Sequence, residues 1–169
     1  MNILVDSSIW IDYFKSGLNS GALDTYIDQN LICTNDLILA ELVPFLKVKK
    51  QNRVIRLLYE ITKIPLEIDW RLIIEFQTTC IQNGINGVGI PDLIILDNVI
   101  QNDLVLFTLD KHFSLINKHI AFEKIEAYIE TADILLSNPN ILKELKLARK
   151  QARKSKPVDL DDLRQKLGV

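Results

Sequence analysis

Short apolar runs rich in β-branched residues recur along this chain, and two of them stop abruptly at an acid. ILV at 3–5 runs into Asp6, and LVLFTL at 104–109 runs into Asp110. Each is followed at once by a helical pattern, WIDYF in the first case and a start at Lys111-His112-Phe113 in the second. LICT at 31–34 and IPLEI at 64–68 read as two further strands, with helix-length stretches between them. Continuous apolar strands of this length, alternating with helices, are buried on both faces, and the chain joining them must cross over as helix. The expected class is therefore α/β with a mainly parallel central sheet.

The intervening segments carry their own start and stop signals. A helix is expected over 21–29, and a long one begins at Asp36, read as the N-cap of LILAELVPFLKVKKQNRVIRLLYEI, with Pro44 kinking or dividing it. Asp69 caps another helix through about Gln82. The glycine-rich NGINGVG then forms a loop ending at Ile90-Pro91-Asp92, and Pro91 suits the first turn of the helix DLIILDNVIQN. Beyond about residue 130 no strand pattern remains. We read 1–130 as one domain and 131–169 as a helical C-terminal appendage of two pieces joined near Pro157.

Composition narrows the chemistry. A chain of 169 residues, 48% hydrophobic, can bury one core. Cys33 and Cys80 lie outside any metal-ligand spacing and read as reduced core thiols. His112 and His119 are the only histidines, which gives little support to zinc chemistry or a histidine-based triad. Catalysis must then lean on carboxylates. No apolar run approaches the roughly 18–20 residues of a membrane span, and MNILVDSSIW has neither the basic start nor the cleavage site of a secretory signal, so a cytoplasmic protein with no membrane association is expected. Residues 1–130 hold 11 Lys+Arg against 17 Asp+Glu, net −6, whereas residues 131–169 hold 9 against 5, net +4. An acidic body binds nucleic acid only if cations neutralise its carboxylates or basic groups arrive from elsewhere.

In an open parallel sheet, ligands bind beyond the carboxyl ends of the strands, where Asp6 and Asp110 stand. Asp92 opens the helix before the strand at 104–109, and Glu41 lies early in the helix after LICT, so four acids can converge on one rim. Asp92 and Asp110 equally suit capping or first-turn positions. Converging carboxylates repel one another unless a divalent cation holds them ionised. Oxygen ligands favour Mg²⁺ or Mn²⁺, which supply Lewis acidity, activate water and orient a phosphodiester. Ser7 and Thr108 offer hydroxyls to hold ligand or water. Asp97, about 140° around the helix from Asp92, is expected to be a solvated surface residue, as is Asp12.

Taken together, VDSSIW, the helical AELV, IPDLIILDNVIQN and LFTLDKHF resemble, in order and spacing, the signature segments of PIN-domain nucleases, in particular VapC-type toxins of toxin–antitoxin systems. The resemblance spans roughly residues 1–125. It implies a three-layer α/β/α fold, catalytic and metal-binding acids at Asp6, Glu41, Asp92 and Asp110, auxiliary hydroxyls at Ser7 and Thr108, and a Mg²⁺ or Mn²⁺ cofactor. It also implies single-stranded RNA as substrate, cleavage as an endoribonuclease, a homodimer, and a separate antitoxin as partner.

The stretch ending in DLDDLRQKLG resembles the toxin-binding end of Phd/YefM-type antitoxins. Such a tail after a nuclease is expected to dock on a PIN domain, in cis or in trans, with Arg149 or Arg153 entering the acidic rim and restraining activity; an RNA-gripping arm is the competing reading. Two other functions are weighed. A phosphatase of the haloacid-dehalogenase type needs a second acid two residues after Asp6, where Ser8 stands. A catalytically silent RNA- or antitoxin-binding module would share the fold but not cleave.

Overall fold

The computed structural model describes residues 2–15 and 19–126. The expected appendage over 131–169, with Arg149 and Arg153, lies outside the described residues. The elements run β1 (Ile3–Val5), α1 (Ser7–Phe14), α2 (Ser20–Asp28), β2 (Ile32–Thr34), α3 (Asp36–Val48), α4 (Asn52–Glu60), β3 (Thr62–Lys63), α5 (Trp70–Gln82), α6 (Ile90–Gln101), β4 (Val105–Thr108), α7 (Lys111–Ile116) and β5 (Lys124–Glu126). Among the described residues, no helix is long and apolar enough to cross a membrane.

The sheet is five-stranded and parallel throughout, in the order β3-β2-β1-β4-β5. Every residue of β1 and β2 is buried. Because successive side chains in a strand point to opposite faces, both faces of the central sheet must be covered by helices, which is the three-layer arrangement. Leu4, Leu106 and Phe107 of the sheet join Ile9, Ile38, Ile73, Leu93, Leu96 and Phe113 of the helices in one core. Register sets up the site: Val5 pairs with Phe107, and the Asp6 amide donates to the Phe107 carbonyl at 3.0 Å, so the ends of β1 and β4 are level.

Four local expectations are corrected. The N-cap of α3 is Asn35, whose Oδ1 accepts from the Ile38 amide at 2.9 Å; Asp36 instead pairs with Lys63. The long helix does not divide at Pro44, which α3 carries within it, but at Lys49–Gln51, where Lys50 adopts φ 56°. The third strand is Thr62–Lys63 rather than 64–68, because Pro65 has no amide to donate to a ladder. A fifth strand at Lys124–Glu126, beyond the four expected, pairs with β4.

Candidate metal and nuclease site

Asp6 sits at the end of β1 and caps α1. It is 5% exposed, and its Oδ2 accepts from the Ser8 hydroxyl and from Thr108 Oγ1 at 2.8 Å. Ser8 Oγ also accepts from the Leu109 amide at 3.0 Å, and Thr108 Oγ1 from the Asp110 amide at 3.0 Å. Two hydroxyls thus stitch the end of β1 to the turn after β4 and hold Asp6 and Asp110 on the same edge. Of the two serines after Asp6, the one whose hydroxyl binds it is Ser8, beside the expected Thr108; sequence reasoning used Ser8 only against a phosphatase, and its position two residues after a capping acid was the available signal.

Asp110 caps α7 by accepting from the His112 amide at 2.8 Å through Oδ1. Asp92 lies in the first turn of α6, where its Oδ2 accepts from the Gly89 amide at 2.8 Å. Burial pushes the Asp92 carboxyl above the ordinary carboxylate range, and the nearby Asp110 and Asp6 charges push the same way, against the Gly89 amide and His112. Donor atoms of Asp92, Asp110 and His112 all lie within 4.8 Å of one another.

The four predicted acids therefore divide. Asp92 and Asp110 converge with His112, and Asp6 adjoins them through Thr108 and through its charge on Asp92. Glu41 stands exposed on α3, lining with Ile11, Phe14, Leu42, Phe45 and Leu46 an apolar groove of about 350 Å³, and is not a member of the three-residue group. Ser7 is half-buried beside Asp6.

Asp97 is corrected: it is 1% exposed, and its carboxylate accepts from the Asp69 amide at 3.1 Å and from Gln101 Nε2 at 2.6 Å. It ties α6 to the start of α5. Asp12 is half-buried and accepts from the backbone and side-chain nitrogens of Asn19.

The donor set fits a divalent cation, since burial, and after it the neighbouring Asp110 and Asp6 charges, disfavour the ionised Asp92 carboxyl, and positive charge among the carboxylates relieves both. No second acid follows Asp6 at the place a dehalogenase-type phosphatase requires; Ser8 there is a hydrogen-bond partner of Asp6.

No curated protein sequence matches the chain significantly. Among solved structures, it is similar to VapBC2 from Rickettsia felis bound to a DNA fragment from their promoter, with TM-score 0.59 and 21% identity over 75% of this chain and 100% of that one. VapBC-1 from nontypeable Haemophilus influenzae gives 0.58 and 20%, over 74% and 97%. Mycobacterium tuberculosis VapC20, a Sarcin-Ricin loop cleaving toxin, gives 0.52 and 14%, over 75% and 98%. Residues 3–119, well over half the chain, match the model of one family, described as PIN domain, and the five-stranded parallel sheet with its acids at the strand ends agrees with it; the chain belongs to the PIN-domain family.

Proposed function

We infer that this protein is a Mg²⁺- or Mn²⁺-dependent endoribonuclease acting on single-stranded RNA, the toxin component of a toxin–antitoxin pair. The observation that carries the reading is the meeting of Asp92, Asp110 and His112 within 4.8 Å, beside Asp6, at the strand ends of a PIN fold. Asp6, Asp92 and Asp110, with Glu41 as the fourth acid, are the catalytic and metal-binding residues in this reading, and Ser7 and Thr108 the auxiliary hydroxyls. A divalent ion held there would supply Lewis acidity toward a phosphodiester. The chain's own part is to hold the carboxylates aligned: Ser8 and Thr108 fix Asp6, the Gly89 amide fixes Asp92, and the His112 amide fixes Asp110.

Partners belong to the same reading. The structures similar to this one include toxin–antitoxin complexes, and the apolar groove between α1 and α3 supports an antitoxin peptide as partner. Trp70, Ile74 and Ile81 leave an exposed apolar stripe on α5, Ile74 and Ile81 at 66% exposure each, which supports a homodimer. Arg149 and Arg153 of the basic tail are the groups proposed to pair with carboxylates of a PIN domain. The test is cleavage itself: full-length protein and a chain ending near residue 130 are incubated with single-stranded RNA and Mg²⁺ or Mn²⁺, with and without excess chelator. Cleavage that chelator abolishes is expected from at least one of them. Cleavage by neither points to a silent binding module, and cleavage equal in chelator contradicts the metal reading.

A further inference from the structure

The backbone amide of His112 fixes Asp110, but its ring has no role assigned so far, and the ring reaches both carboxylates of the acidic edge. Its Nδ1 lies 3.0 Å from Asp110 Oδ1, is shielded from solvent, and makes no hydrogen bond, because the ring N–H direction does not align with the carboxylate. Asp110 Oδ1 already accepts from the His112 backbone amide, which pins the carboxylate where it is. Gly87, which has φ +83°, lies beside the opposite ring nitrogen: a Cβ added there would come within 3.4 Å of Nε2. The ring stands with Nδ1 toward Asp110. Two unprotonated donor atoms 3.0 Å apart repel each other, and their approach becomes favourable when both bind one cation. Two donors at neighbouring corners of an octahedron with bonds of about 2.1 Å stand about 3.0 Å apart, the separation found between Nδ1 and Oδ1.

We propose that His112 Nδ1 is a protein ligand of the ion held by Asp92 and Asp110, and that this nitrogen makes the site prefer Mn²⁺ over Mg²⁺. The inference rests on the metal-dependent reading above and adds the ligand and the selectivity. Mg²⁺ demands hard oxygen donors and keeps its waters, whereas an imidazole in the ligand set favours first-row transition ions. Asp92, Asp110 and His112 supply two oxygens and one nitrogen, while Oδ2 of Asp6 is engaged by the Ser8 and Thr108 hydroxyls.

The test is binding, read without RNA. Mn²⁺ and Mg²⁺ are each titrated calorimetrically into the full chain and its His112→Ala variant, and pulsed EPR of the Mn²⁺-loaded wild type looks for coupling to an imidazole ¹⁴N. Expected are a ¹⁴N coupling in the wild type that the variant lacks, and a loss of Mn²⁺ affinity in the variant of at least about 10-fold, as for other metal-site partners, with Mg²⁺ affinity within a few fold. Mn²⁺ bound to the wild type without ¹⁴N coupling, or Mn²⁺ and Mg²⁺ weakened equally by the substitution, overturns the assignment of His112 and leaves the metal reading standing. Failure of the wild type to bind either ion overturns both. The EPR readout needs no variant, so misfolding of His112→Ala cannot hide the answer.

Discussion

Asp6, Asp92 and Asp110 each do two jobs, and the two are not in conflict. Asp6 and Asp110 accept from first-turn amides of α1 and α7, those of Ser8 and His112, Asp92 accepts from the amide of Gly89, the N-cap of α6, and each keeps its carboxylate at the sheet edge. Capping and function, alternatives in the sequence, coincide in the fold, because the amide bonds at a helix start are what aim the carboxylate. Asp92 carries the cost, since burial and the neighbouring charges disfavour its ionised form. Asp92→Asn, which can keep the Gly89 bond, is therefore expected to melt no lower than the wild type in metal-free buffer while losing activity; a marked drop in Tm would assign Asp92 a structural role. Ser8→Ala removes a bond to Asp6 and one from Leu109 and should cost about 1–2 kcal/mol of stability and lower activity as well, measured by denaturant unfolding and by turnover. Cys33 was legible as a core thiol: it is buried, and desolvation pushes its pKa to about 12, so below pH 9 the thiol should not react with a thiol reagent until the protein unfolds. The sign follows from the raised value. Stability from keeping Cys33 protonated is whole below the ordinary thiol pKa near 9 and is lost as pH rises toward 12. Rapid labelling of native protein at pH 8 would contradict this burial.

At the scale of elements, strands that end in an acid were readable because a buried parallel strand is a continuous apolar run with no periodicity to confuse. β3 and β5 were not, since the edges of the sheet need little apolar sequence: Thr62-Lys63 is exposed, and Lys124-Ile125-Glu126 carries two charges. Ser8 and His112 each neighbour an acid two residues back, a local signal, but their other partners, Leu109 about a hundred residues away and Asp92 on another element, are ones that spacing along the chain does not record. Asp97 shows the same limit. Helical geometry correctly turned it from the face of Asp92, but could not show that the start of α5 covers it. Breaking that contact, Asp97→Ala leaves the Asp69 amide and Gln101 without their acceptor, and the expected loss is about 1–3 kcal/mol in denaturant unfolding with activity per folded molecule unchanged. A fall in activity without loss of stability would instead bring Asp97 into the site. Gly87→Ala tests the loop: its left-handed φ and the nearness of His112 Nε2 make alanine cost about 1 kcal/mol or more, and the displaced ring should weaken Mn²⁺ binding.

For the whole molecule, charge poses the problem that the site answers. A body of net −6 repels RNA unless cations fill its acidic edge, so activity should depend on divalent ion concentration more steeply than on monovalent salt. The tail of net +4 sharpens the question. If it restrains the nuclease, removing residues 131–169 raises activity in a cleavage assay; if it grips RNA, the same deletion lowers it. The central claim, that the carboxylates beyond the strand ends form a metal-dependent ribonuclease site, is tested most directly by single-turnover RNA cleavage in Mn²⁺ by wild type and by Asp92→Asn shown to be folded by circular dichroism. The account predicts a rate reduced at least about 100-fold, since even outer partners of metal sites are worth 10- to 100-fold, and wild-type cleavage abolished by chelator. A folded Asp92→Asn variant that cleaves RNA at the wild-type rate would contradict it.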